Sequence, residues 1–335
     1  MIVAAKLLWP DPAATMTVLT NAMAAVPSFW HGVMLSSAAT GVCVWLVAGE
    51  ITKSLDMANG LRRYPPVMKP TKALRGPPAS AAEAALDPVH FGRLILTART
   101  VYTSDTVRLT LQAPAGHALQ AGFPPGQHVQ LRAQVEGTVV VRSFTPTLVD
   151  PHSGRVELLV KVYPGGKMGN HLLHLGLGAL VDVRGPVGAF RHYHRFLCTD
   201  LAMIAAGTGI TPMWQLITAI CGSPEDKTRI TLLYVNRTAA DILLRDEISA
   251  LAARFPSKLR VHYFLSDRQD PGWKGERGRI TAQRLALLLP PISKSAKYLV
   301  CGPEAMVDQV TQDLVGLGCD TPKTFKHATD QLFVF

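Results

Sequence analysis

Two hydrophobic rhythms divide the chain beyond its first quarter. Between Leu94 and Val183 apolar residues come in short β-like runs: Val107–Thr110, Val129–Leu131, Val139–Val141, Val156–Val162 and Leu180–Val183. Glycine and proline turns separate them, which predicts a β-barrel of antiparallel strands, since hairpins need only brief connections. From Leu201 onward the pattern changes. Mainly apolar runs at Leu201–Ala206, Ile230–Val235, Leu259–Leu265 and Tyr298–Cys301 alternate with helical stretches at Thr211–Ile220, Leu243–Phe255, Ala282–Leu288 and Glu304–Leu317. A strand that is apolar on both faces expects cover on both sides. This half therefore reads as a doubly wound, parallel-sheet α/β domain.

The first quarter follows neither rhythm. From Pro12 to Gly49 there is no Asp, Glu, Lys or Arg. Its most apolar part, 29–49, matches the ~20 residues a helix needs to cross a bilayer, with Phe29, Trp30 and Trp45 placed for the two interfaces. A buried core helix or a cleaved signal peptide are the alternatives. The signal peptide is disfavoured because a charged leading region is nearly absent and the apolar stretch comes late. Lys53, Arg62, Arg63, Lys69, Lys72 and Arg75 follow the stretch, whereas only Lys6 and the amino terminus precede it. The positive-inside rule then puts everything after Glu50 on the cytoplasmic side. Pro65, Pro66, Pro70, Pro77 and Pro78 make the next segment a semi-extended tether. The expected organisation is an N-terminal segment 1–50 with a transmembrane anchor at 29–49, a tether 51–88, a barrel domain 89–195 and an α/β domain 196–335.

Composition narrows the function classes. A chain of 335 residues with 48% hydrophobic and 17% charged residues suits two globular domains with an apolar appendage. A formal net charge of +10 favours an acidic partner or an anionic surface. Nucleic acid is not expected, because no binding module and no basic tract interleaved with aromatics occurs. Cys43, Cys198, Cys221, Cys301 and Cys319 are odd in number and widely spread, which argues against a disulfide framework or a zinc site and fits a reducing compartment. His171 with His174, and His192 with His194, lack a carboxylate or thiol at ligand spacing, so no metal is expected. The sequon Asn236-Arg237-Thr238 should be unused on the cytoplasmic side.

Four motifs carry candidate chemistry. Arg142-Ser143-Phe144-Thr145-Pro146 closes a strand, where an Arg can fork hydrogen bonds to a phosphate and an aromatic two residues on can lie against a flat ring. Gly165-Gly166-Lys167-Met168-Gly169-Asn170 leads into a short helix, whose free N–H groups suit a pyrophosphate. Ala206-Gly207-Thr208-Gly209-Ile210-Thr211-Pro212-Met213 lacks the last glycine of a Rossmann fingerprint. It reads instead as strand, glycine turn, Thr211 as N-cap and Pro212 at the first helical position. Cys301-Gly302-Pro303-Glu304-Ala305-Met306 repeats the strand–turn–helix pattern, with the cysteine at the carboxyl edge of the sheet.

In this order and spacing the motifs resemble the ferredoxin–NADP reductase superfamily, and within it the NADH–cytochrome b5 reductase family, from about Phe91 to Phe335. Pro125-Gly126-Gln127-His128, Arg184-Gly185-Pro186-Val187-Gly188, Asp241-Ile242-Leu243-Leu244-Arg245 and the terminal Phe-Val-Phe support the match. The resemblance implies an FAD-binding barrel and an NADH-binding α/β domain. Arg142 is then expected to hold the FAD pyrophosphate, Phe144 to pack on the isoalloxazine and Thr145 to bond near its reactive edge. Val160, Lys161, Val162 and Tyr163 are placed along the flavin, and Gly166, Lys167, Met168 and Gly169 around its phosphates. Gly207, Thr208, Gly209 and Thr211 are implied to form the floor between flavin and nicotinamide, with Cys301, Gly302, Pro303 and Met306 beside it. Thr145, Lys161, Thr211 and Cys301 are implied as the catalytic set. Asp267 matches the position that accepts from the adenosine ribose, and a carboxylate there repels a 2′-phosphate, favouring NADH over NADPH.

Three positions depart from the family pattern: Phe144 where Tyr is usual, Gly169 where Ser is usual, and Glu304 where a second Pro is usual. The implied activity is hydride transfer from NADH to FAD, then single-electron transfer to a haem acceptor such as cytochrome b5. Lys167, Arg191, His192, His194 and Arg195 are a candidate basic collar for its acidic rim. The chain is expected to be a monomer, single-pass in the endoplasmic reticulum or outer mitochondrial membrane, with a cytosolic catalytic part. The contrasting reading is a non-catalytic, membrane-tethered flavin-fold module that binds or assembles.

Overall fold

The computed structural model describes residues 83–335, apart from 120–122, 191–192, 268–271 and 324–325. The expected anchor at 29–49 and nearly all of the tether lie outside the described residues. Among the described residues no helix is long and apolar enough to cross a membrane.

Two sheets carry the fold. The first is antiparallel and built from β2 (Gly92–Thr103), β3 (Thr106–Gln112), β5 (His128–Val135), β6 (Thr138–Phe144), β7 (Leu148–Asp150), β8 (Arg155–Lys161) and β9 (Leu180–Val187). A two-residue pairing of β1 (Glu83–Ala84) with β4 (His117–Ala118) lies apart from it. The ladder runs β6-β5-β9-β2-β3-β8-β7, so its two ends are not paired and the barrel is open, a half-barrel. Alternating residues explain its core. Leu94 and Leu96, Leu109 and Leu111, Val129 and Leu131, and Val156 and Leu158 all point inward and are fully buried. Between β8 and β9 lies α1 (Lys167–His174), which buries Met168 and Leu172 on the same core.

The second sheet is parallel throughout: β13 (Glu276–Arg277), β12 (Leu259–Leu265), β11 (Arg229–Asn236), β10 (Asp200–Ala206), β14 (Ala296–Cys301) and β15 (Leu332–Val334), side by side in that order. Its strands serve two cores. Leu201, Met203 and Ala205 face one, with α2 (Ile210–Gly222) and α3 (Arg245–Arg254) supplying Leu216, Ile217 and Ile248. Ala202 and Ile204 face the other, where α4 (Ala282–Leu288) and α5 (Glu304–Gly316) supply Leu285, Val310 and Leu314. This is the doubly wound arrangement expected from the apolar runs.

Two local expectations need correction. Thr211 is not the N-cap of α2. A 3-10 turn at Gly207–Gly209 runs straight into the helix, so Gly209 caps it and Thr211 lies inside the first turn. Its hydroxyl donates to Thr208 O at 3.0 Å, and Pro212 still falls where no N–H is required. The helix expected at Leu243 begins at Arg245, because Leu244 adopts φ +56° and breaks the regular backbone.

The described residues belong to one compact unit. α2 joins the two sheets: the Gly126 N–H donates to Gln215 Oε1 at 2.8 Å, Gln215 Nε2 to Pro146 O at 2.8 Å and Trp214 Nε1 to Thr147 O at 3.2 Å. From the other side the Leu244 N–H donates to Tyr102 Oη at 3.1 Å. These bonds fix the width of the cleft between the sheets.

Candidate active-site cleft

The carboxyl edge of the parallel sheet faces the rim of the half-barrel across a cleft of about 1510 Å³. One wall carries Phe144 and Thr145 at the end of β6, and Lys161, Val162 and Tyr163 at the end of β8. The opposite wall carries Gly207, Thr208, Gly209 and Thr211 after β10, and Cys301, Gly302, Pro303 and Met306 after β14. All four residues expected to be catalytic therefore meet in one place. Backbone packing dictates part of this wall. A Cβ on Gly209 would overlap the Cys301 carbonyl, so only glycine lets the two loops touch.

Four cationic side chains line the cleft (Lys161, Arg237, Arg279 and Lys326) against two acidic ones, Asp105 and Asp241. The excess of positive charge suits a dinucleotide pyrophosphate. Lys161 is only 16% exposed, and its Nζ lies 2.8 Å from Asp105 Oδ2. Burial pushes the Asp105 carboxyl up, but the Lys161 ammonium and the hydroxyls of Thr103 and Thr106 outweigh it and hold it below the usual carboxylate range. Arg237 reaches the same carboxylate at 3.4 Å and Asp241 at 3.5 Å, so a chain of charges crosses from one sheet to the other. Asp241 in turn accepts from the Thr238 N–H and hydroxyl, at 3.0 and 2.9 Å. Neither Asp105 nor Arg237 was singled out by the sequence motifs. A turn aspartate and a sequon arginine carry no local sign that they will meet.

Burial pushes the Cys301 thiol up to about 12, so it stands neutral at the cleft. It can fill space and set a distance, but it is no nucleophile near neutral pH.

The remaining expected residues lie beyond the cleft wall. Arg142 is exposed on β6, its Nη1 donating to Val141 O at 2.8 Å. Val160 points into the barrel core and is fully buried, leaving only its backbone to face a ligand. Gly166 precedes α1, whose amino terminus has no side-chain cap, so its N–H groups are open to an anion. Lys167 is exposed and lies 3.7 Å from Glu136 Oε2. Met168 is buried in the barrel core, so only its N–H can serve a phosphate. At Gly169 a Cβ would stand 3.2 Å from Lys161 O and 3.4 Å from Val162 Cα, so the side chain usual in the family would be crowded here. Asp267 is exposed just beyond β12 and its N–H donates to Arg237 O at 3.0 Å. Of the basic collar, Arg191 and His192 lie outside the described residues. Arg195 already pairs with Glu225. Among the described residues no group of His, Cys, Asp or Glu could hold a metal.

Comparison with known proteins agrees with this geometry. The oxidoreductase FAD-binding domain family matches residues 93–192 and the oxidoreductase NAD-binding domain family matches residues 203–312. A protein of Candida albicans named NADH-cytochrome b5 reductase 1 is 41% identical over 64% of this chain and 72% of its own. The protein of the same name from Kluyveromyces lactis is 38% identical over 72% of this chain and 85% of its own. Among solved structures, the cytochrome b5 reductase domain of Ulva prolifera nitrate reductase superposes with TM-score 0.67 at 32% identity, covering 75% of this chain and all of that domain. The CS-b5R domains of human Ncb5or, solved in an NAD+ form, give TM-score 0.63 at 28% identity over 73% of this chain and 69% of that one. An uncapped helix amino terminus, a positively charged cleft and a glycine-built contact between two sheet-edge loops are what FAD and NADH require, and the chain belongs to the NADH–cytochrome b5 reductase family.

Proposed function

We propose that the protein takes a hydride from NADH onto FAD and delivers electrons one at a time to an acidic haem protein, cytochrome b5 or a close equivalent. The observation that carries this reading is the meeting of Phe144, Thr145 and Lys161 on one wall with Gly207–Thr211 and Cys301 on the other. A ring held against the first wall faces a nicotinamide held against the second.

FAD supplies the change from two-electron to one-electron chemistry; the chain positions and shields. Arg142 and the open N–H groups from Lys167 to Gly169 hold the FAD phosphates, Met168 through its backbone alone, while the Gly166 N–H stays on Tyr163 O and shapes the turn. Phe144 gives a ring face to the isoalloxazine, with the backbone of Val160 and with Val162 and Tyr163 alongside. Thr145 offers a hydroxyl at the reactive edge. Lys161, held in place by Asp105, draws the dinucleotide into the cleft. Thr211 braces its own loop through Thr208, so the floor formed by Gly207, Thr208 and Gly209 keeps its shape. Cys301, with Gly302, Pro303 and Met306, fixes the depth at which the nicotinamide stops. Asp267 accepts from the adenosine ribose and disfavours a 2′-phosphate.

We assign residues 89–195 to the FAD half and 196–335 to the NADH half. The uncharged stretch 12–49 supports a single-pass anchor at 29–49 in the endoplasmic reticulum or outer mitochondrial membrane, joined by the tether 51–88 to a monomeric cytosolic body. Steady-state assay with NADH and soluble cytochrome b5 tests the reading. Two cytochromes reduced for each NADH consumed is the expected result. NADH oxidation that leaves the cytochrome oxidised would remove the haem acceptor from the proposal.

A further inference from the structure

One polar side chain at the sheet edge makes no hydrogen bond of good geometry among the described residues. Asn236 ends β11, is 5% exposed and lines the cleft. Neither its Nδ2 donor nor its Oδ1 acceptor has a hydrogen-bond partner. A buried amide left in that state is a standing loss of stability unless a ligand uses it. Its polar neighbour is the Tyr234 hydroxyl, to which Nδ2 is at most a weak donor short of good hydrogen-bond geometry, while Oδ1 has no partner at all. That oxygen is already engaged, donating to Gly207 O at 3.0 Å and accepting from the Leu243 N–H at 3.2 Å.

Place and chemistry together identify the ligand group. The strands stand in the order β14, β10, β11, β12, so Cys301, Gly207, Asn236 and Asp267 follow one another across the carboxyl edge. At about 4.8 Å per strand, Asn236 is roughly 10 Å from the strand of Cys301 and one strand from that of Asp267. A dinucleotide laid from Cys301 to Asp267 passes over it. Phosphate oxygens only accept, so they could satisfy Nδ2 and would leave Oδ1 empty. A ribose diol accepts from one and donates to the other. The adenosine ribose already has Asp267. We therefore propose that Asn236 binds the ribose diol of the nicotinamide nucleotide half of NADH, its amide turning toward the cleft about a broad χ2 torsion. The inference rests on the hydride-transfer reading above and names a contact within that site.

The test compares Asn236→Ala and Asn236→Leu with the wild-type holoprotein on three hydride donors. These are NADH, reduced nicotinamide mononucleotide, and 1-benzyl-1,4-dihydronicotinamide, which has no ribose. Calorimetric binding of NAD+ and the melting temperature without dinucleotide complete it. The expected loss in kcat/KM is about ten- to a hundredfold for NADH and for the mononucleotide, the worth of two neutral hydrogen bonds. The benzyl donor should change by less than about twofold, NAD+ should bind more weakly in step, and Asn236→Leu should melt no lower than wild type. Equal losses with all three donors, or a lower melting temperature for Asn236→Leu, would instead make Asn236 a structural partner of Tyr234. Loss with NADH but not with the mononucleotide would move the contact to the adenosine half. Both results overturn the proposal. Wild-type protein reduced by none of the donors would remove the hydride-transfer reading itself, and this inference with it.

Discussion

At the residue scale, Cys301 separates positioning from reactivity. Its thiol is pushed up to about 12 by burial, so it stays protonated through the range in which the enzyme works. Cys301→Ser should slow flavin reduction by roughly tenfold without abolishing it, a loss of the size seen when a reacting group is slightly misplaced. Wild-type flavin reduction should show no thiol titration between about pH 6 and 9, well below that shifted value. Complete loss of reduction in folded Cys301→Ser, or a pH profile that disappears with the thiol, would make the sulfur a participant. The two departures in the flavin site part company on the same scale. Phe144→Tyr adds a hydroxyl on a half-buried ring and should tighten FAD by about five- to tenfold, the worth of one hydrogen bond. Gly169→Ser brings a Cβ within 3.2 Å of Lys161 O, so it should give no gain despite its extra donor. Flavin titration of the apoprotein reads both.

At the scale of elements, the Lys161–Asp105–Arg237 chain ties the β8 end, the β2–β3 hairpin and the β11 end together. Asp105 is 24% exposed and Lys161 16%, so Asp105→Asn should cost about 1–2 kcal/mol in denaturant unfolding of the holoprotein. Arg237→Gln should cost less, because that side chain is 71% exposed and its pairs are screened. The Asp105 carboxyl is held below its unfolded value. Its contribution is therefore present above about pH 4 and is lost as acid protonates the folded state. The difference between wild type and Asp105→Asn should shrink toward zero on acidification; a difference that grew would contradict the pairing.

These elements differ in how far the sequence announces them. Leu259–Leu265 and Ala282–Leu288 match the observed β12 and α4 residue for residue, because a strand with Leu259, Val261, Tyr263 and Leu265 alternating on one face and a short capped helix advertise themselves locally. β2 does not. Its twelve residues mix Arg, Thr and Leu and carry two register shifts against β3, which break the two-residue rhythm. Thr211 looks like a cap because caps are read from residue type, but the preceding 3-10 turn takes that place. The glycine turns and Cys301 were legible because backbone approach demands particular residues. The Asp105–Lys161 pair and the orphaned Asn236 were not, since only the folded chain brings them to the cleft.

At the scale of the whole molecule, the net charge of +10 bears on partner encounter. The proposed basic collar is weaker than residue counting suggests, since Arg195 pairs with Glu225 and Lys167 with Glu136. Exposed pairs of this kind still exchange partners readily. Raising salt across the physiological range should slow cytochrome b5 reduction several-fold, while ferricyanide reduction stays nearly constant. Equal slowing of both would place the salt effect inside the cleft.

The central claim is that one cleft holds FAD against NADH and passes the hydride between them. Anaerobic addition of NADH to the purified, yellow holoprotein tests it in a single absorbance trace. Bleaching of the flavin band by one equivalent of NADH, with recovery of the colour on adding oxidised cytochrome b5, is the expected result. A protein that stays colourless with added FAD, or a yellow one that NADH does not bleach, would contradict the account and leave a flavin-fold module without catalysis.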